Sequence, residues 1–229
     1  MQGNIINKYI NSTETAELFA RCFNSQYITV ENDGDYWIDR EGDTAYLLFQ
    51  CTNSKIDWKN NFDFPAAPYR DMGIKWYCHR GFLRVWKSIK PYIENIVLDR
   101  RIKKIYVVGY SMGAAIATLC HEYVWFNRPD LREGGLEGYG FGCPRVFWGW
   151  FMKKELKQRW EHFHPIRNKN DLVTHVPPIL FGFRHVNKVY KLKNKFSKTK
   201  HTRLNCINAH YPDNYLYSLQ QESEKFHNN

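Results

Sequence analysis

The run "IKKIYVVGYSMGAAIATLC", residues 102–120, constrains this chain more than any other stretch. Its first half is apolar, rich in β-branched residues and too short for a helix, whereas its second half has helical character. Between the halves stands Gly109-Tyr110-Ser111-Met112-Gly113, a serine bracketed by two glycines. Glycine carries no Cβ, so the backbone can turn sharply there and bring strand and helix close together. A strand is therefore expected to end at the serine and a helix to leave it. That unit belongs to α/β proteins with a mainly parallel sheet covered by helices on both faces. Such sheets place their sites beyond the carboxyl ends of the strands, where Ser111 stands.

The rest of the chain repeats the alternation. Two β-rich runs, Tyr36–Arg40 and Thr44–Gln50, flank a Glu41-Gly42-Asp43 turn and predict a hairpin. "LEGYGFG", "HFHPIRN" and "HVNKVYKL" read as further strands. Trp148, Phe151, Met152, Leu156 and Trp160 recur at helical spacing, and "NYLYSLQQESEKF" reads as a closing helix. No repeat or low-complexity linker interrupts residues 1–229, which are expected to form one domain.

Charge and cysteine usage narrow the setting. The net charge is +10, and Arg184 to Arg203 holds eight Lys/Arg without an acidic residue. That run is either a solvated face or a surface attracted to polyanions. It has few interleaved aromatics and matches no nucleic-acid module, so no nucleic-acid partner is expected. The six cysteines form no CxxC pair and are expected to be free thiols. "MQGNIINKYINSTETAELF" lacks a basic stretch followed by an apolar one, and no apolar run approaches the ~20 residues of a membrane span. The expected location is cytoplasmic, with peripheral membrane contact through the basic run.

A serine hydroxyl is a weak nucleophile near neutral pH unless a base takes its proton, and that base is usually a histidine held by a carboxylate. Chain order after a glycine-flanked elbow is serine, acid, histidine. Asp171 in "RNKNDLVTHVPP" follows a strand in a polar loop; Asp99 precedes the serine, and Asp130 follows the serine's own helix. Five of the nine histidines come after Asp171. His175 is tied to a Pro-Pro pair, His185 opens an expected strand, His201 lies in the basic run and His227 in the tail. His210 stands in a loop before the last helix and is the candidate base. The Met112 N–H opens a helix, where unpaired donors favour negative charge. His162 and His164 share one face of a strand, but no third ligand is evident, so neither metal nor cofactor is expected.

Five stretches in order carry a resemblance: "FQCTNSKIDWKNN", "CHRGFLRVWKSI", "FGCPRV", "NKNDLVTHVPP" and "HYPDNYL", together with the Ser111 elbow. The chain resembles the class 3, fungal-type lipase family of the α/β-hydrolase fold over about Tyr46 to Leu219. The resemblance implies Ser111 as nucleophile, Asp171 as acid and His210 as base. It also implies an oxyanion hole made by Met112 and Thr52, although Gln50-Cys51 replaces the family's Arg-Gly before that threonine. The segment after Thr52 often forms a lid in this family, and Trp58, Phe62, Phe64 and Trp76 are candidates for an apolar substrate entrance or for core. The implied activity is hydrolysis of lipid carboxylic esters, acylglycerol or phospholipid, through an acyl-enzyme. Two alternatives stand beside it: an esterase on non-lipid esters, such as a feruloyl esterase or cutinase, and a catalytically inactive binding protein.

Overall fold

A computed structural model describes residues 12–50, 65–192 and 200–227. After helix α1 (Ser12–Asn24), strands β1 (Ile28–Val30), β2 (Gly34–Glu41) and β3 (Thr44–Gln50) form an antiparallel ribbon. The expected hairpin is therefore present, with Gly42 at φ 61° supplying the turn. Strands β4 (Ala66–Tyr69) and β5 (Trp76–His79) lead into α2 (Arg80–Leu98). Next come β6 (Lys104–Tyr110), α3 (Met112–Asn127), β7 (Leu136–Phe141), β8 (Phe147–Trp148), α4 (Lys154–Gln158) and β9 (Phe163–Arg167). The chain closes with β10 (Phe183–Arg184), β11 (Tyr190–Lys191), α5 (Asn205–Asn208) and α6 (Pro212–His227).

Among the described residues the main sheet has the order β1-β2-β3-β6-β7-β9-β11. From β3 to β11 every neighbouring pair is parallel. A smaller antiparallel sheet runs β10-β8-β5-β4. Strand side chains alternate between faces, which splits the core in two. Leu47 and Phe49 of β3 and Ile105 and Val107 of β6 join α2 and α3 on one face. Leu48, Tyr106 and Val108 join Leu18 and Phe19 of α1 and Tyr215 and Leu219 of α6 on the other. Each such large side chain taken from water contributes roughly 1.5–3 kcal/mol before entropy is subtracted.

Two expected elements differ. Trp148 to Trp160 is not one helix: Trp148 pairs with Tyr77 and Phe183 in the small sheet, and only Lys154–Gln158 is helical. Gly149 at φ 143° takes the chain out of any helix there. In "HVNKVYKL" only Tyr190 and Lys191 are in a strand. Asn187 instead turns its amide onto the carbonyls of Trp160 and Phe163 at 2.9 and 3.0 Å. Cys22, Cys78, Cys120, Cys143 and Cys206 are unbridged, and the first four are buried.

Candidate active site

Strand β6 delivers the chain to Ser111 and α3 carries it away. Ser111 takes φ 58° and ψ −127°, a region that costs a residue with a side chain roughly 1–3 kcal/mol. The Ser111 N–H donates to the Phe141 carbonyl at 2.9 Å, and its carbonyl accepts from Ala114 N–H at 3.0 Å. A Cβ on Gly109 would lie 2.2 Å from the Gly113 carbonyl oxygen, and one on Gly113 would lie 2.2 Å from that of Phe49. Both glycines are thus required for β3, β6 and α3 to meet behind the serine. Met112 is the first residue of α3, so its N–H has no acceptor within the helix.

Ser111 Oγ lies 2.8 Å from His210 Nε2, and His210 Nδ1 lies 2.9 Å from Asp171 Oδ2. With Nδ1–H directed at the carboxylate, Nε2 is left to accept the serine proton. Asp171 is fully buried. It follows β9, and its N–H donates to the Asn168 carbonyl at 3.2 Å. Its Oδ1 accepts from Val173 N–H at 2.9 Å, and its Oδ2 accepts from the Tyr215 hydroxyl at 2.5 Å. Those donors satisfy the oxygens of a carboxyl group that water does not reach. The loop carrying His210 is held by Asn208, whose Oδ1 accepts from His201 and Thr202 N–H at 2.8 Å each. Asn168 Nδ2 ties the same loop to β9 through the Ala209 carbonyl at 2.8 Å.

Three residues shape the site without having been singled out in the sequence. Tyr110 stacks on the His210 ring at 5.2 Å, and its hydroxyl donates to the His210 carbonyl. Tyr215 packs edge-on against that ring at 6.3 Å. Burial first, and then the Asp171 charge, hold both phenols far above their ordinary range, so both remain donors. Gly142, at φ 61°, lets β7 end against the imidazole: a Cβ there would lie 2.8 Å from His210 Cε1. The "FGCPRV" motif contains Gly142 and "HYPDNYL" contains Tyr215 beside His210, but nothing local connects Tyr110 to the histidine.

The remaining candidates go elsewhere. Asp130 pairs with Arg128 and Arg100, and Asp99 with Arg101. His185 Nε2 meets the Thr174 carbonyl at 3.0 Å, His175 meets Arg167, and His201 meets Asp213. His162 and His164 flank Glu137 near the opposite, amino end of the sheet. No group of three His, Cys, Asp or Glu suited to a metal occurs among the described residues. Trp76 is core, edge-on to Tyr69 and Trp160 at 5.4 and 5.1 Å. Thr52, Trp58, Phe62 and Phe64 lie outside the described residues.

Similar proteins bear on the same geometry. A Rhizomucor miehei lipase is 28% identical over 161 residues, covering 68% of this chain and 44% of its own length. A secreted mono- and diacylglycerol lipase of Fusarium solani is 30% identical over 142 residues, covering 59% and 40%. The chain thus spans less than half the length of these relatives. The solved structure of Rhizomucor miehei triacylglyceride lipase superposes with a TM-score of 0.63 at 22% identity, covering 83% of this chain and 80% of that one. The expected α/β-hydrolase fold is the fold observed. The cytoplasmic expectation is corrected, because a relative this similar is named as secreted. The make-up of "MQGNIINKYINSTETAELF", on which that expectation rested, is no guide to compartment. No helix among the described residues is long and apolar enough to cross a membrane. Residues 46–181, more than half of the 229, match the family described as lipase (class 3), and the chain belongs to that family.

Proposed function

We propose that this chain hydrolyses carboxylic esters of lipids, acylglycerol or phospholipid, through a covalent acyl-enzyme. Ser111 is the nucleophile, His210 the general base and acid, and Asp171 the group that orients the imidazole. The observation that carries the reading is the unbroken line from Ser111 Oγ through His210 to Asp171, with hydrogen bonds of 2.8 and 2.9 Å. Ser111 Oγ attacks the ester carbonyl as its proton passes to His210 Nε2, and the ring then carries a positive charge facing Asp171. The negative charge that develops on the carbonyl oxygen is received by the Met112 N–H together with Thr52. Removing one such donor typically costs ~3 kcal/mol of barrier. His210 returns the proton to the departing alcohol, which leaves the acyl group on Ser111. It then takes a proton from water, and the resulting attack releases the acid and restores the serine.

Membership of the class 3 lipases and the names of the relatives support lipid esters as the substrate class. Trp58, Phe62 and Phe64 are assigned to the apolar entrance on the family resemblance alone. The basic run Arg184–Arg203 is assigned to peripheral contact with an anionic membrane. Its described members Arg184, Lys188, Lys191, Lys200 and Arg203 are all exposed. We read residues 1–229 as one catalytic domain, because both halves of the core share the central sheet.

The test is a fluorophosphonate label, with turnover measured on p-nitrophenyl esters, triacylglycerols and phospholipids. Labelling and turnover lost together in Ser111→Ala are the expected result. Equal turnover by that variant would falsify the mechanism. Turnover confined to water-soluble non-lipid esters would overturn the substrate class.

A further inference from the structure

Two loops outside the site present large apolar side chains to water. Trp148, Trp150 and Phe151 stand on one, and Ile179, Leu180 and Phe181 on the other, with Phe151 93% and Leu180 88% exposed. Side chains of this size are not normally left so open in a cluster. The loops form one unit: the Gly149 N–H donates to the Gly182 carbonyl at 2.9 Å, and Trp148 Nε1 donates to the Phe181 carbonyl at 2.8 Å. Phe183 and Trp148 are also paired across β10 and β8. The apolar tip is therefore built in advance and does not have to be ordered on binding.

Beside the tip lies a cavity of about 500 Å³, whose lining includes Phe147, Trp150, Met152, Lys157, Arg184 and Lys188. None of its lining residues is acidic. The Arg184 guanidinium sits 5.6 Å from the Trp150 ring centre, and Lys153, Lys154 and the acidic Glu155 are exposed on the following turn, a net positive flank. Protein–protein interfaces are depleted of lysine. Apolar aromatic tips ringed by Lys and Arg match the two halves of an anionic bilayer surface: acyl chains below, phosphates above.

We propose that Trp148–Phe151 and Ile179–Phe181 are an anchor that inserts into an anionic phospholipid membrane, with Lys157, Arg184 and Lys188 taking the headgroup phosphates. The proposal rests on the lipid-ester reading above and extends its membrane contact beyond the basic run to an apolar device of its own. The anchor is continuous with the site. The chain leaves Asp171, passes Pro177, whose carbonyl accepts from Arg145 Nη1 at 2.8 Å, and emerges as Ile179. Insertion would thus hold the loop that bears Asp171 close to the lipid surface.

Co-sedimentation with phosphatidylcholine vesicles containing roughly 20% phosphatidylserine tests this. The variants are Phe151→Asp/Leu180→Asp and Lys157→Glu/Arg184→Glu; all four side chains are exposed and outside the triad. The expected result is vesicle binding by the wild type and a loss of about tenfold or more in the Asp double variant. Turnover of soluble p-nitrophenyl butyrate should be unchanged in both variants. The Glu double variant should lose binding to anionic vesicles and much of its sensitivity to salt. Wild-type binding by the Asp variant overturns the anchor and leaves the ester-hydrolase reading standing. Failure of the wild type to cleave the soluble ester strikes at that reading instead. Equal wild-type binding to pure phosphatidylcholine removes the headgroup part. Concentration-dependent self-association that the Asp variant abolishes, with no vesicle binding by the wild type, would assign the patch to a second copy and overturn the proposal.

Discussion

The Tyr215 hydroxyl and the His210 imidazole share one oxygen of Asp171, at 2.5 and 2.9 Å. Tyr215 stands one turn beyond His210 in the sequence and reaches back under it to a carboxylate 44 residues earlier. The same phenol oxygen accepts from Asn168 N–H at 3.1 Å. It therefore joins the loop that carries Asp171 to the helix that follows His210.

Tyr215→Phe removes a donor from a buried carboxylate and an acceptor from a buried N–H. We expect kcat to fall about tenfold with KM nearly unchanged, and stability to fall by ~1–3 kcal/mol. Steady-state kinetics and urea unfolding read the two effects separately. A variant with normal kcat would show that Asp171 is adequately held by Val173 and His210.

Gly142→Ala places a methyl group 2.8 Å from His210 Cε1 on a backbone at φ 61°. Either the ring or the end of β7 must move, and a displacement of well under 1 Å at a proton-transfer contact is costly. Turnover should drop about 100-fold while the circular dichroism spectrum is retained. Full activity in a folded variant would mean that the site tolerates a shift this geometry forbids.

Ser111→Gly should be inactive and more stable. Glycine takes φ 58° without penalty, so the strain held at the elbow is released and stability rises by ~1 kcal/mol, while ester turnover drops at least ~10⁴-fold. Differential scanning calorimetry checks the first effect. An unchanged or lower Tm would show that the serine side chain's own hydrogen bond outweighs the strain.

Acid stability should be set partly by two histidines away from the site. Burial pushes His121 down to about 3 and His185 down to about 4. Both are neutral in the fold and protonate more readily once it opens. The unfolded chain therefore binds more protons below the ordinary histidine value near 6.5, and stability is lost as pH falls. The loss is expected to run from about pH 6.5 to about pH 4, at ~1.4 kcal/mol per pH unit for each histidine. Urea midpoints at pH 7, 6 and 5 give the slope; a flat profile over that range would refute it.

How much of this was legible beforehand depends on the range of the forces involved. The elbow could be read because its constraints are local: β-branched residues, then glycines two positions either side of a serine, then helix formers. The candidate order of serine, acid and base came from the chain order known for such elbows, and the strands β2, β3, β6, β7 and β9 followed from β-rich runs bounded by turns. The Trp148–Trp160 stretch shows where that reasoning stops. Its helical spacing is real, but Leu156 and Trp160 are buried while Phe151 is open, since Gly149 and the pairing of Trp148 with Phe183 direct the chain elsewhere.

Sequence alone was enough to specify the strand–elbow–helix, because backbone sterics and burial periodicity act between near neighbours; Ser111, Asp171 and His210 were candidates that only the folded chain brings within hydrogen-bonding distance. The sequence held Gly142 and Tyr215 inside quoted motifs but was silent on the contacts: Tyr110 against the His210 ring, Gly142 at its edge and Tyr215 on Asp171. Those contacts join residues 100 apart in one case and 44 in another. Parallel strands bring such partners to one edge of the sheet only after the long crossovers between them have packed. Folding, rather than any local pattern, makes one continuous hydrogen-bonded site of an elbow, a loop and a late helix.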